Sequence, residues 1–136
     1  MRPSFNLLPA ALVAAALSLV QTGEAQAGDC TQVKFQFKNN LPVKIKVVAI
    51  RIVGNQGEWR EDIGNTVIVP NYFHTTNARR LNKLDSGARP TRMTVEFEEH
   101  IPQANSWRNR TTRVFANQPV CKDGIVYLMN INPPPQ

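Results

Sequence analysis

Little in this sequence invites catalysis. Its 136 residues include two histidines, His74 and His100, and two cysteines, Cys30 and Cys121. A zinc or copper site needs three or four convergent ligands at recognisable spacing, and neither H-x-H nor H-E-x-x-H occurs. Glu98, Glu99 and His100 are neighbours in sequence, so in a strand they would point to opposite faces. Neither cysteine lies in a C-x-x-C motif or beside a histidine, and no metal or cofactor is expected. After residue 27 the only serines are Ser86 and Ser106, and no G-x-S-x-G elbow is present, which removes the usual signature of a nucleophilic hydrolase. Internal repeats, low-complexity stretches and long amphipathic helical patterns are also missing, which excludes solenoids and helical bundles.

The one long apolar run lies at the start. Leu7 to Val20 (LLPAALVAAALSLV) is preceded by Arg2 and followed by Ala25-Gln26-Ala27. A basic residue, a short apolar stretch and a small-x-small site are the three parts of a secretory signal peptide. Fourteen Ala-rich residues are too few to span a bilayer comfortably. Residues 1–27 are therefore predicted to be a signal peptide, of bacterial type by its alanine content. No later segment is long and apolar enough to cross a membrane. Export to the periplasm or the medium is the expected destination.

Cleavage there would leave 109 residues (136 less 27), enough for one domain over 28–132 with a modest core. The Pro-rich end, residues 133–136, is expected to be a disordered tail. Cys30 follows Asp29, and no leucine stands three residues before it, so it does not read as a lipidated cysteine. Two cysteines in an oxidising compartment leave one pairing, Cys30 with Cys121. The bridge would close a loop of about 90 residues, worth roughly 4–5 kcal/mol in the chain-entropy model.

Elsewhere the apolar period is two. Val33, Phe35 and Phe37 alternate with Lys34, Gln36 and Lys38, the pattern of a half-buried strand. In Val43 to Val53 the apolar parity changes from Val43, Ile45 and Val47 to Val48, Ile50 and Ile52. A strand cannot change faces without an extra residue, so a β-bulge or bend is predicted near Val47-Val48. Strands 31–39 and 43–53 look like a hairpin. Gly54-Asn55-Gln56-Gly57 has turn chemistry. Glu58–Ile63 and Thr66–Val69 read as two short strands, separated at Gly64-Asn65. Tyr72–Thr76 reads as a sheet edge. Residues 77–89, with Leu81 and Leu84 three apart, suggest a helical turn or compact loop. Met93, Val95 and Phe97 again alternate with polar residues, and Trp107–Phe115 reads as a strand of unclear register. Gly124 to Ile131 puts Ile125, Tyr127, Met129 and Ile131 on one face. Seven or eight short strands with frequent breaks predict an all-β domain, a small antiparallel β-sandwich, with a β-barrel as the alternative.

Charge is the more informative surface signal. Cleavage removes Arg2 and Glu24 together, so 15 Lys+Arg and 9 Asp+Glu remain of the full 16 and 10, and the net charge stays +6. Lys34, Lys38, Lys44 and Lys46 would form one basic stripe if the predicted hairpin formed. Arg79, Arg80, Lys83, Arg89 and Arg92 crowd one segment, and Arg108, Arg110 and Arg113 follow Trp107. Such clusters attract anionic partners, although cations also protect sheet edges and solubility. Trp107-Arg108-Asn109-Arg110 has the composition of a binding hot spot. In a strand, Trp107 would pack inside and leave the two arginines to meet a partner.

The expectation is a small exported, non-enzymatic binding module for an anionic envelope polymer or a protein partner. Arg79, Arg80, Lys83, Arg92, Arg108 and Arg110 are its candidate contacts. Nucleic acid is not the expected partner, because no aromatic platform interleaves with the cations. A periplasmic inhibitor or immunity protein that blocks a toxin or hydrolase is the alternative. A hydrolase using Glu96 and Glu98, about 7 Å apart along one strand face, is the third reading. The sequon Asn109-Arg110-Thr111 would matter only in a eukaryotic secretory route.

Overall fold

Alternating apolar residues organise eight strands: β1 (Asp29–Asn39), β2 (Ile45–Gly54), β3 (Gly57–Ile68), β4 (Phe73–Thr75), β5 (Arg79–Asp85), β6 (Arg92–Ile101), β7 (Ser106–Thr111) and β8 (Val126–Ile131). The computed structural model describes residues 28–112 and 118–134. The predicted signal peptide, Arg113 and the end of the Trp107–Phe115 segment lie outside them, as do the last two residues of the proposed tail. Among the described residues no helix is long and apolar enough to cross a membrane.

The strands form two packed sheets, and neither closes into a barrel. One is ordered β3-β2-β6-β7, antiparallel throughout. In the other, β4 and β5 run antiparallel along successive stretches of β1, while β8 pairs with β1 in parallel. Paired residues share a face, so Phe35 and Phe37 line up with Tyr127 and Met129 in the core. The Phe35 and Tyr127 rings stack 6.0 Å apart. From the opposite sheet, Ile45, Val47, Ile50, Ile52, Met93 and Val95, each fully closed to solvent, complete the core.

The bulge in β2 is present. Its register shifts between Val47 and Ala49 against both neighbours. On β3 the matching irregularity holds Ile63, Gly64 and Asn65, with Gly64 at φ 87° and Asn65 at φ 60°. Gly64-Asn65 is therefore a bulge within one 12-residue strand and not a break between two.

Three further expectations are overturned. First, β1 and β2 are not a hairpin: they lie in different sheets. The reason is Asn39, a fully buried amide. Its Nδ2 donates to the carbonyls of Val43 and Ile68, both at 2.9 Å, and its Oδ1 accepts from the Leu41 amide at 2.9 Å. These bonds hold a corner that carries the chain across the core. The four lysines accordingly split between two outer faces and form no single stripe. Second, residues 79–85 are strand β5 and not a helical turn or loop. Leu81 and Leu84 are both buried because β5 shifts register between its pairings with Asp29 and Cys30, so a three-residue spacing reaches one face without a helix. Third, Trp107 does not pack inside, as described below.

Cys30 and Cys121 form the disulfide, spanning 91 residues. It joins the start of β1 to the segment before β8, and the Cys121 amide and carbonyl bond Ala88 and Gly87.

Candidate functional site

The sandwich is closed along one side. Where β3 meets β5, Arg79 Nη1 reaches Glu61 Oε2 at 3.3 Å and the Asp62 carbonyl at 2.9 Å. Further along, the Gln56 amide donates to the Lys83 carbonyl, and Asn55 Nδ2 to Asp85 Oδ2. A Cβ on Gly54 would collide with the Lys83 carbonyl, so the hairpin end can approach β5 only because that residue is glycine.

Four of the six candidate cations are already matched by acids. Arg79 pairs with Glu61, Arg80 with Asp29 at 2.9 Å, and Arg108 and Arg110 both with Glu99, at 3.3 and 2.9 Å. Among the described residues Lys83 and Arg92 make no ion pair, and they stand in different sheets. The six therefore belong to separate surfaces.

On the outer face of the β3-β2-β6-β7 sheet, cations and carboxylates alternate. Arg51 and Arg60 hold one oxygen each of Glu96, at 2.7 and 3.0 Å, and Lys46 lies 3.4 Å from Glu98. Burial pushes the Glu96 carboxyl up, but hydrogen bonds and charge from Arg60 and Arg51 outweigh it and hold the group below the ordinary range. The two acids do share a face, beside an open depression lined by Val48, Arg60 and Asn109. Ion-paired on both oxygens, Glu96 is poorly suited to donate the proton that glycosidic cleavage requires.

Trp107 lies on this same outer face, opposite His100. The two rings are 5.0 Å apart, and Lys46 Nζ sits 4.4 Å from the indole centroid. Arg108 and Arg110, paired with Glu99 and Phe97, face the other way, toward the gap between the sheets. The two faces of β7 are thus the reverse of the sequence expectation. An edge strand is not obliged to bury its tryptophan, and here the aliphatic Lys46 stem and its ammonium cover the ring. His74 lies on β4 opposite Phe37, remote from His100 in the other sheet. Among the described residues no group of three or more metal-ligating side chains converges.

The outer face of β8-β1-β4 has a different character. Pairing register puts Lys34 beside Val126, Gln36 between Leu128 and Thr75, and Lys38 between Asn130 and Phe73. No carboxylate occurs among these eight residues. Leu128 is 60% exposed and Phe73 61%, and Tyr72, next in chain to Phe73, is 66% exposed. Neither lysine makes an ion pair with a described residue. Sequence reasoning passed over this surface although β8 carries the signal. In IVYLMNI both parities are apolar, and Val126 and Leu128 have no core to enter once Tyr127, Met129 and Ile131 have filled it.

On the opposite side of the sandwich, the described residues of β7 and β8 leave an opening. A groove of about 340 Å3 runs there, with Leu41 and Phe97 among its lining residues and with Glu99, Arg110, Asn130, Asn132, Pro133 and Pro134 around it. Burial pushes the Glu99 carboxyl up, but Arg110 and Arg108 outweigh that effect and hold it below the ordinary range. Pro133 and Pro134, assigned to a disordered tail by sequence, are wall residues of this groove.

Compared with protein families, curated proteins and solved structures, the chain matches none.

Proposed function

We propose that the protein is an exported, non-enzymatic binding module that docks on an anionic, amphiphilic surface of the cell envelope through the outer face of β8-β1-β4. The leader-like residues 1–27 and the Cys30–Cys121 bridge support export. The observation that carries the binding reading is the contrast between the two outer faces. On one, acids answer the cations; on the other, Lys34 and Lys38 stand among exposed Phe73, Val126 and Leu128 with no acid beside them. A flat array of ammonium groups and apolar side chains suits a surface that offers phosphates and acyl chains together. The electrostatic contact thus moves from the arginine clusters to the two lysines of β1.

Vesicle co-sedimentation tests this reading. Binding to phosphatidylcholine vesicles containing phosphatidylglycerol should exceed binding to phosphatidylcholine alone. It should weaken as salt rises from roughly 0.1 to 1 M, where the screening length falls about threefold, and Lys34→Glu with Lys38→Glu should abolish it. Equal binding to neutral vesicles, or indifference to charge reversal, would reject the reading.

The Val69–Phe73 turn favours the inhibitor alternative. Tyr72 and Phe73 stand out from it as an aromatic anchor, the kind of contact that fills a partner's pocket. That reading requires a stoichiometric protein partner whose binding survives high salt and is lost in Tyr72→Ala.

A further inference from the structure

We infer that the groove between β7 and β8 is a second ligand site, built for a small monoanion with an apolar body, such as an acyl or aryl carboxylate. It adjoins the outer face of β8-β1-β4 at Asn130 but does not draw on Lys34 or Lys38.

Three features support this inference. The first is size and lining. At about 340 Å3 the groove lies at the lower end of the range of small-molecule sites. Leu41 and Phe97, each 6% exposed, give it an apolar lining between the two sheets.

The second is charge. Glu99 is the only acid among the lining residues, and one of its oxygens accepts from both Arg110 Nε and Arg108 Nη2. Two guanidiniums share one carboxylate, so the cluster keeps one net positive charge. Glu99 is held ionised and orients Arg110 without cancelling the pair. An arginine ordered by Glu99 at the rim of an apolar groove loses less freedom when it binds an anionic group.

The third is the opposite wall. Asn40 Nδ2 donates to Asn132 Oδ1 at 2.8 Å. With that oxygen engaged, the N–H donors of the Asn132 amide, a lining residue of the groove, bond no described residue and are left for an anion. Arginine on one wall and an amide donor on the other bracket a site for a carboxylate, with the apolar body lying over Leu41 and Phe97.

Decanoate, held below its micelle concentration, is the probe, with decylammonium as the control of equal length and opposite charge. Titration of the full-length protein by calorimetry, with amide chemical shifts to locate the site, should show one decanoate bound and no saturable decylammonium binding. Arg110→Gln should weaken decanoate about tenfold, the usual worth of one charge-assisted hydrogen bond. Asn132→Asp keeps the acceptor for Asn40 but puts a carboxylate on the wall, and should abolish binding while thermal unfolding stays unchanged. Lys34→Glu with Lys38→Glu should leave decanoate affinity as it was, which separates this site from the proposed envelope-binding face. Equal binding of both probes, shifts confined to the β8-β1-β4 face, or full affinity in Asn132→Asp would overturn the inference.

Discussion

Arg79 on β5 reaches Glu61 on β3 across the sandwich, Nη1 to Oε2 at 3.3 Å, and binds the neighbouring Asp62 carbonyl with the same nitrogen. Its Nε is buried and has no partner among the described residues. The contact ties the two sheets together along one side, but it leaves a polar atom unsatisfied. Glu61→Gln should therefore cost about 1–2 kcal/mol by stranding a half-buried guanidinium. Arg79→Met should cost less, because it removes the charge and the unpartnered Nε together, while Glu61 keeps its bond from Trp59 Nε1 at 2.9 Å. Urea unfolding of both variants with an unchanged m-value checks this ordering. The reverse ordering would mean that the arginine's packing outweighs its polar cost.

Asn39 makes three bonds from a fully buried position. Replacing it with alanine strands two carbonyls and one amide at the corner between sheets, a loss of about 2–4 kcal/mol. Asn39→Asp replaces the two donor bonds with a carboxylate facing carbonyl oxygens, so it should be at least as damaging at neutral pH. A buried carboxyl has a raised pKa, so this variant should regain stability as the pH falls and the group takes up a proton. Thermal melts from neutral to acid pH separate the two variants. A pH-independent deficit in Asn39→Asp would show that the lost donors alone account for the damage.

Glu96 and Glu99 both titrate below their ordinary value of 4.5 when folded. A carboxyl whose folded pKa is depressed binds its proton more weakly in the native state than in the unfolded chain. Its contribution to stability is therefore present above pH 4.5 and is lost as the pH falls through the lower, folded values. Stability should be flat near neutrality and decline below about pH 4.5. Arg51→Gln with Arg60→Gln should flatten the part of that decline due to Glu96, and Arg108→Gln with Arg110→Gln the part due to Glu99. Both acids are partly solvated, so each effect is small, and melts in steps across the acid range are the measurement. A decline as steep in the variants as in the parent would assign it to other carboxylates.

Much of the fold is legible where each residue answers to one constraint. Val33, Phe35 and Phe37 alternate because one face of β1 is dry. The parity change at Val47-Val48 reveals its bulge within a single strand. Two cysteines permit only one bridge. Legibility fails where pairing partners decide the outcome. Leu81 and Leu84 imitate a helical spacing because the shift that brings both inward involves β1, some fifty residues earlier. The Asn39 corner falls between two strand patterns that read as a hairpin, since nothing local says that its amide will be buried and bond the carbonyls of Val43 and Ile68. At the candidate sites, the sharing of Glu99 by Arg108 and Arg110 depends on the β6–β7 register. The acid-free face arises only when β8 lies beside β1, and the groove only from the gap between β7 and β8.

The parallel pairing of β1 with β8 has a consequence for how the chain is made. The first strand to leave the ribosome has β8, the last, as its neighbour along one side, with Lys34 to Asn39 matched to Val126 to Ile131. Until roughly ninety more residues have been synthesised, that edge has no mate. The sheet built on β1 therefore stays incomplete through most of translation, and the long sequence separation of this pair slows its closure.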